Sequence, residues 1–162
     1  MSSASPAARQ AAIAALDAVA AAIGVPLELD ADDQCGLAFD GDVEVVIALA
    51  PTDDTLGLHA RVASLGQTVS PEVLRRALAM NNGRLPLGMA LSMEPHSGQL
   101  KVLARVPVLE VEPAALVVLL ADLVALVPDA RAELGLVDNE AAPASTPSQA
   151  HPLPPFVGAL RI

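Results

Sequence analysis

The sequence predicts an α+β protein with the element order α-β-β-β-α-β-β-α and a twisted, mainly antiparallel sheet packed against helices. Two segments with helical spacing of apolar residues flank three runs in which apolar and polar residues alternate as they do along a strand. Two more alternating runs and a long apolar helix complete the order. Because compact turn signals separate neighbouring strands, we expect hairpins rather than parallel crossovers.

Three segments have the spacing and end signals of helices: residues 6–23, 70–83 and 112–127. Ser5 and Ser70 are suited to cap the first two, and Pro6 and Pro71 suit a first helical turn. The third helix is predicted to end at Pro128, because an internal proline removes a helical hydrogen bond. The following "PDARAELG" then adds at most a short helical turn.

The five predicted strands cover residues 34–39, 43–50, 55–63, 87–93 and 100–107. The second strand places these apolar residues on one face: Val43, Val45, Ile47 and Leu49. Its other face carries Glu44, Val46 and Ala48, and the outer face of the third strand carries His59 and Arg61. The apolar residues on such outer faces leave two explanations open, coverage by the chain's own helices or binding of another chain.

The stretch "LDADDQCGLAFDGD", residues 29–42, contains five aspartates and raises the alternative of a calcium loop. With Asp30 as the first ligand, EF-hand positions 6 and 12 fall on Cys35 and Gly41, whereas the loop requires glycine and glutamate there. The aspartates are therefore predicted to be turn residues around a meander, with "DGD" at 40–42 forming a tight turn.

The sequence carries no motif for catalysis, a metal or a cofactor. Cys35 alternates with Leu37 and Phe39, which predicts a buried apolar residue rather than a nucleophile. The three histidines share no metal-ligand spacing: His59, His96 and His151. We therefore predict that the protein is not an enzyme.

The charge balance limits the partners. With 19 acidic residues against 9 basic ones, the net charge of −10 disfavours nucleic acid and anionic lipid, and favours a basic protein segment. Asp17 and Asp122 interrupt the two long apolar runs, so neither a signal peptide nor membrane insertion is predicted. A single cysteine fits a reducing cytoplasm.

The chain divides at about residue 137. Residues 1–137 are predicted to form one domain, whereas 138–162 hold five of the 14 prolines, lack periodicity and are predicted to be a disordered tail. "PLPP" at 152–155 matches a PxxP core, and "PPFVGALRI" is apolar enough to dock on a folded domain.

Residues 10–127 resemble a known family. The relevant segments are "CGLAFDGDVEVVIALAPTDDTLGLHARVASLG", then "SPEVLRRALAMNNGRLPLGMALSMEPHSGQLKVLARVPV", and finally "EPAALVVLLADLVALV". In order and spacing they are similar to the class I type III secretion chaperones, the Tir chaperone (CesT-like) family. The resemblance implies a cytoplasmic homodimer that binds the N-terminal segment of a secreted effector in extended form, with no cofactor. Contact with the secretion machinery is an alternative role for the tail. A tail beyond the last helix departs from the family pattern.

The resemblance also implies two sets of site residues. The dimer interface would be built from the second helix and fourth strand, at Leu74, Ala77, Leu78, Leu87, Gly88, Met89, Ala90 and Leu91. The client-binding set would be Ile13, Leu16, Leu37, Val46, Ala48 and His59. Two other functions stay open at this point: a regulatory protein that sequesters a compact partner, and a domain that binds a small molecule.

Overall fold

The computed structural model describes residues 4–39, 42–66 and 68–136. Its elements are α1 (Pro6–Ile23), β1 (Gln34–Phe39), β2 (Val43–Leu49), β3 (Thr55–Ser64), α2 (Pro71–Asn81), β4 (Met89–Met93), β5 (Gln99–Pro107) and α3 (Pro113–Leu134). This is the α+β order that the sequence predicts. The Asp40-Gly41 part of the "DGD" turn and the tail from residue 137 onward lie outside the described residues.

The five strands form one antiparallel sheet with the order β1-β2-β3-β5-β4. Its inward face carries the alternating apolar residues of each strand, among them Val45, Ile47, Leu58 and Val102, all fully buried. Helix α3 packs across the middle of this face, α1 packs against α3, and α2 lies beside β4. Ala, Leu and Val side chains form most of the core.

The acidic turns attach α1 to the sheet. Ser5, the N-cap of α1, accepts a hydrogen bond from the N–H of Ala8, and its hydroxyl donates to the carboxylate of Asp54 at 3.1 Å. Arg9 forms an ion pair with Asp33 at 2.8 Å. Asp33 and Asp54 both have positive φ angles, so these aspartates serve as turn residues, as predicted, and also bind the first helix.

Helix α3 corrects the predicted end at Pro128, since it continues to Leu134. A proline inside a helix costs about 3 kcal/mol, because it lacks the N–H and crowds the preceding turn. The last turns are nevertheless held by tertiary contacts. Val127, Ala130 and Leu134 are buried, and Arg131 Nε donates to the carbonyl of Val62 at 2.9 Å. The packing of the residues that follow Pro128 outweighs the free-energy cost of a proline inside the helix.

Strand β4 begins at Met89 rather than at the predicted residue 87. Gly88 has a φ of 85°, and the N–H of Met89 donates to the carbonyl of Pro86 at 3.1 Å. The chain therefore makes a turn before the strand. This turn leaves Leu87 fully exposed instead of alternating with Met89 and Leu91 on the inner face.

Helices α1 and α3 are the two described helices whose length and hydropathy would suffice to cross a membrane. The predicted interruption by Asp122 does not remove α3 from this group. In the structure, however, Leu116, Leu120 and Leu123 of α3 are buried in the protein core. Burial of this kind is typical of the core helix of a folded domain.

The edge of the sheet at β4 is covered by one side chain of α2. The N–H of Leu91 donates to Asn81 Oδ1 at 2.7 Å, and Asn81 Nδ2 donates to the carbonyl of Leu91 at 3.0 Å. The amide thus pairs with both backbone groups of Leu91, as a neighbouring strand would. Such coverage blocks the addition of a further strand at this position.

Replacing Asn81 with alanine should lower the free energy of unfolding by about 1–3 kcal/mol, because two partly buried backbone groups lose their partner. Urea denaturation would measure the change. Asn82→Ala is the matched control, since Asn82 caps the end of α2 through its backbone N–H and its exposed side chain has no hydrogen-bond partner among the described residues. This change should alter stability by less than about 0.5 kcal/mol. Equal losses in both variants would contradict the role given to Asn81.

Candidate functional site

The opposite edge of the sheet, at β1, has outward-pointing backbone groups. The N–H of Leu49 donates to the carbonyl of Asp33 at 3.0 Å, so that pair is hydrogen-bonded within the ladder between the two strands. Hydrogen-bonded pairs alternate along an antiparallel ladder. The N–H and C=O groups of Gly36 and Ala38 therefore point away from β2.

A second observation gives the same orientation. The C=O of Gln34 accepts from the N–H of Asp30 at 2.8 Å, and the N–H of Gln34 donates to the Asp30 carboxylate at 2.9 Å. Both groups thus face away from β2, and residues 36 and 38 share this direction. Within the described part of the chain, no further hydrogen bond is recorded for the outward groups of Gly36 and Ala38. This edge can accept an added strand.

The outer face of the sheet, which we call the open face, continues from this edge. The strand registers align Gly36, Val46, His59, Leu103 and Ala90 in one row across all five strands. Except for the exposed Gly36, these residues are half-buried, whereas the residues on the inner face are buried. The row is mostly apolar, so it offers an apolar surface to a bound chain.

A groove of about 640 Å³ crosses the open face and includes His59 and Leu103 of this row. Ala48, Gly57 and Leu103 contribute to its lining on the sheet, and the turns 51–53 and 93–95 contribute at its sides. The Gly57 position is open, since an added Cβ atom would meet only the carbonyl oxygen of Ala48, at 3.7 Å. Small residues at this point deepen the groove.

His59 is the polar member of the central row. Its partial burial lowers the pKa of the imidazole, and the nearby Lys101 ammonium lowers it further, whereas Glu94 opposes them. The pKa of Glu94 itself is lowered by a hydrogen bond from Ser97 and by Lys101. These effects favour the neutral imidazole. Burying a neutral imidazole under a bound chain costs less desolvation free energy than burying a charged one.

The predicted client-binding residues fall into two groups. Val46, Ala48 and His59 lie together on the open face, and Ile13 is 39% exposed on α1. Leu16 is only 1% exposed, and Leu37 is also buried, so both contribute to the subunit's own core. The alternation of β1 and the packing of α1 against α3 explain this inward orientation.

The predicted dimer residues divide in the same way. Leu78 is 68% exposed on α2, Leu87 and Gly88 are exposed before β4, and Leu74 and Ala90 are half-buried. The remaining three residues are buried in the subunit: Ala77, Met89 and Leu91. Among the predicted dimer residues, the exposed large apolar side chains are thus Leu78 and Leu87.

Two observations bear on chemistry at the site. Burial raises the pKa of the Cys35 thiol, which opposes formation of the nucleophilic thiolate. The described ranges 4–39, 42–66 and 68–136 contain no group of three or more His, Cys, Asp or Glu residues that could hold a metal ion. The arrangement is suited to binding a polypeptide through backbone hydrogen bonds and apolar contacts.

The sequence model of the Tir chaperone protein (CesT) family matches residues 14–131. The chain belongs to this family. The matched range extends from the middle of α1 almost to the end of α3, so it includes the whole sheet and both of its edges. The resemblance inferred from the sequence is thereby confirmed. The family is one of chaperones. A search of curated protein sequences gave no match.

Solved structures show the same fold. A chain of the HopA1–SchA chaperone–effector complex superposes with a TM-score of 0.64 at 16% identity, covering 79% of this chain and 98% of that one. A chain of the ExsC–ExsE complex gives 0.62 at 21% identity, with coverages of 74% and 90%. A chain from the complex of the Yersinia pestis type III secretion chaperone SycH with a fragment of YscM2 gives 0.55 at 15% identity, with coverages of 74% and 97%.

Sequence reasoning missed the backbone groups of Gly36 and Ala38 and the bonds made by Asn81. The signal for the first was faint: a glycine and an alanine on the outer face of a strand with no charge or proline to protect an edge. This pattern identifies an edge strand only when the strand order of the sheet is known. Asn81 lies in a "NNG" stretch that is typical of a helix end, which masked its contact with β4.

Proposed function

We propose that the protein is a type III secretion chaperone that binds the N-terminal segment of an effector in extended form and keeps it soluble and competent for secretion. The observation that carries this proposal is the edge of β1, whose outward backbone groups at Gly36 and Ala38 have no hydrogen-bond partner among the described residues, beside the mostly apolar row on the open face. The chaperone–effector and chaperone–fragment complexes among the structural relatives support it, as does the family.

The edge and the face have separate tasks in this function. An extended effector segment hydrogen-bonds to the outward groups of Gly36 and Ala38, which recognise backbone and tolerate many sequences. Where the client continues from the edge across the open face, its side chains contact Val46, Ala48 and His59, and Ile13 offers a further apolar contact on α1. Neither task requires nucleotide hydrolysis, because binding energy alone holds the client unfolded.

The proposed assembly is a homodimer that acts in the bacterial cytoplasm. Leu78 and Leu87 supply the apolar centre of the interface, and Gly88 and Ala90 permit close approach of the two copies. The acidic surface, with its net charge of −10, keeps the apolar patches soluble and attracts basic client segments.

Purification of the full chain from its own cells, followed by light proteolysis, tests the function. We expect one co-purifying protein in which only a short N-terminal segment resists digestion, because the rest of the client does not contact the chaperone. A compact partner protected along its whole length would instead indicate a regulatory protein that sequesters a folded partner. Mass spectrometry of the protected fragment would identify the client and the bound segment.

A further inference from the structure

Arg105 differs from the other basic side chains of the domain. Within residues 4–39, 42–66 and 68–136, every other arginine and the lysine has an ion pair or a hydrogen bond to another group. No such partner is recorded for Arg105 in this part of the chain, although the net charge is −10. Its side chain is exposed on the open face of β5 and lines the groove. Such a guanidinium is available to pair with a carboxylate of another molecule.

Small residues form the floor of the groove directly beside Arg105. The strand registers pair Arg105 with Gly57 on β3, and Gly57 with Ala48 on β2. The space above Gly57 is open, because an added Cβ atom would meet only the carbonyl oxygen of Ala48, at 3.7 Å. Leu103, two residues before Arg105 on the same face of β5, is half-buried and also lines the groove. An apolar depression therefore adjoins the guanidinium.

The other charges of the groove make Arg105 the position for a bound carboxylate. Lys101 is already paired with Glu94, at 3.3 Å. Asp32 and Asp53 line the groove from the turns before β1 and between β2 and β3, and both are negative. A client carboxylate would be repelled near Asp32 and Asp53 and attracted at Arg105. The groove thus distinguishes one place for an acidic residue.

We propose that the groove binds an extended polypeptide segment in which an acidic residue pairs with Arg105 and a large apolar residue two positions away covers Ala48 and Gly57. Residues two apart in an extended chain project to the same side, roughly 7 Å from each other. This separation fits a carboxylate at the guanidinium and an apolar side chain over the adjoining floor. Arg105 is then a specificity-determining residue. That the segment belongs to a secreted effector rests on the proposed function.

The two contacts depend on each other. An exposed ion pair alone contributes little to affinity, because water and salt screen it. An apolar side chain over the floor excludes water beside the pair and so strengthens it. The acidic surface attracts basic client segments over long distances, whereas Arg105 selects the position of one acidic residue within the groove. Its contribution is therefore to the register and specificity of binding more than to the rate of encounter.

Nuclear magnetic resonance titration of the isotope-labelled full chain tests the selectivity without an effector. The probe is the five-residue peptide Thr-Asp-Thr-Leu-Thr with acetyl and amide ends, and two matched peptides carry Asn or Lys instead of Asp. We expect the shift of the Gly57 amide to report binding of the Asp peptide at least about fivefold tighter than that of the Asn peptide, and the Lys peptide to bind most weakly.

Two variants locate this preference. Arg105→Gln should remove the preference for Asp over Asn. Arg61→Gln is the matched control, because it changes the net charge equally on the same face, outside the groove, where Arg61 is paired with Glu44. It should keep the preference. Gly57→Val, which a strand tolerates, fills the floor and should weaken the Asp peptide by at least about fivefold without changing thermal unfolding.

Several results would overturn the proposal. They are equal binding of the Asp and Asn peptides, a preference that survives Arg105→Gln, and acetate that binds at Arg105 as tightly as the Asp peptide, which would indicate a site for small anions. A lower mass of the unliganded chain after Arg105→Gln, measured by light scattering, would assign the groove to a second copy instead.

The co-purified client separates this proposal from the proposed function. Arg105→Glu should weaken client binding at least about tenfold, and replacing the acidic residue of the client with lysine should restore it. If the client binds Arg105→Glu as tightly as the unmodified chain, the groove proposal fails and the chaperone function stands. If the peptide preference is present but no client with an extended bound segment is found, the chaperone function fails and the selectivity of the groove stands.

Discussion

Replacing Ala38 with proline is expected to weaken effector binding by roughly 10- to 100-fold while the fold is retained. The N–H of Ala38 points away from β2, so proline removes the donor offered to the client without removing a hydrogen bond of the ladder. The client would lose one hydrogen bond and leave its carbonyl unsatisfied, at a cost of about 1.5–3 kcal/mol. Proline is tolerated at such an outward edge position.

Isothermal titration calorimetry with the co-purified effector segment would measure the change. Ala38→Val is the matched control, because valine has a side chain of similar volume on the open face and keeps the N–H. We expect its affinity to stay within about threefold of the unmodified chain, and thermal unfolding to be similar in both variants. If valine weakens binding as much as proline does, the side-chain surface rather than the strand edge binds the client.

Local patterns predicted the elements well, because the caps and alternation that define them are local. Helix α1 was predicted at its observed bounds, and the inward faces of β2 and β3 were predicted from alternation alone. The predicted end of α3 at Pro128 was wrong. The contacts that extend the helix past this proline are made with Val62 and Asp42, which are far away in sequence. The low helix propensity of proline describes only the local chain and contains no information on such tertiary contacts.

The candidate site was predictable only in part, for a similar reason. Alternation identified Val46, Ala48 and His59 as outer-face residues, and the registers now align Val46 and His59 in one row. Which strands form the two edges depends on the sheet order β1-β2-β3-β5-β4, and no local pattern contains that order. The backbone groups at the β1 edge therefore became visible only in the folded chain.

The aspartate-rich turns illustrate how a correct prediction can still be incomplete. Turn chemistry accounts for Asp30, whose carboxylate accepts hydrogen bonds from the N–H groups of Asp32 and Gln34. It does not account for the bonds of Asp33 and Asp54 to residues of the N-terminal segment and α1. Since α1 also carries the exposed Ile13, these turns position one part of the proposed client surface relative to the sheet.

Replacing Leu78 and Leu87 together with glutamate is expected to convert the proposed homodimer to monomers. Both side chains are largely exposed in the subunit, so the change should leave its free energy of unfolding nearly unaffected. Burying a leucine contributes about 1.5–3 kcal/mol, so losing two from the interface should raise the dimer dissociation constant by at least about 100-fold. The introduced like charges on an already acidic chain add to this effect.

Multi-angle light scattering would report a mass of twice 16.5 kDa for the unmodified chain and of 16.5 kDa for the double variant. Val118→Glu is the control, because Val118 is 59% exposed on α3 and lies about four helical turns before Glu133, where Arg76 and Arg84 contact this helix. It should remain dimeric. A dimer that survives the double change would exclude Leu78 and Leu87 as its centre, and dissociation by Val118→Glu would move the interface to α3. If the double variant is monomeric, retained binding of the client would show that the edge at β1 acts independently of dimerisation.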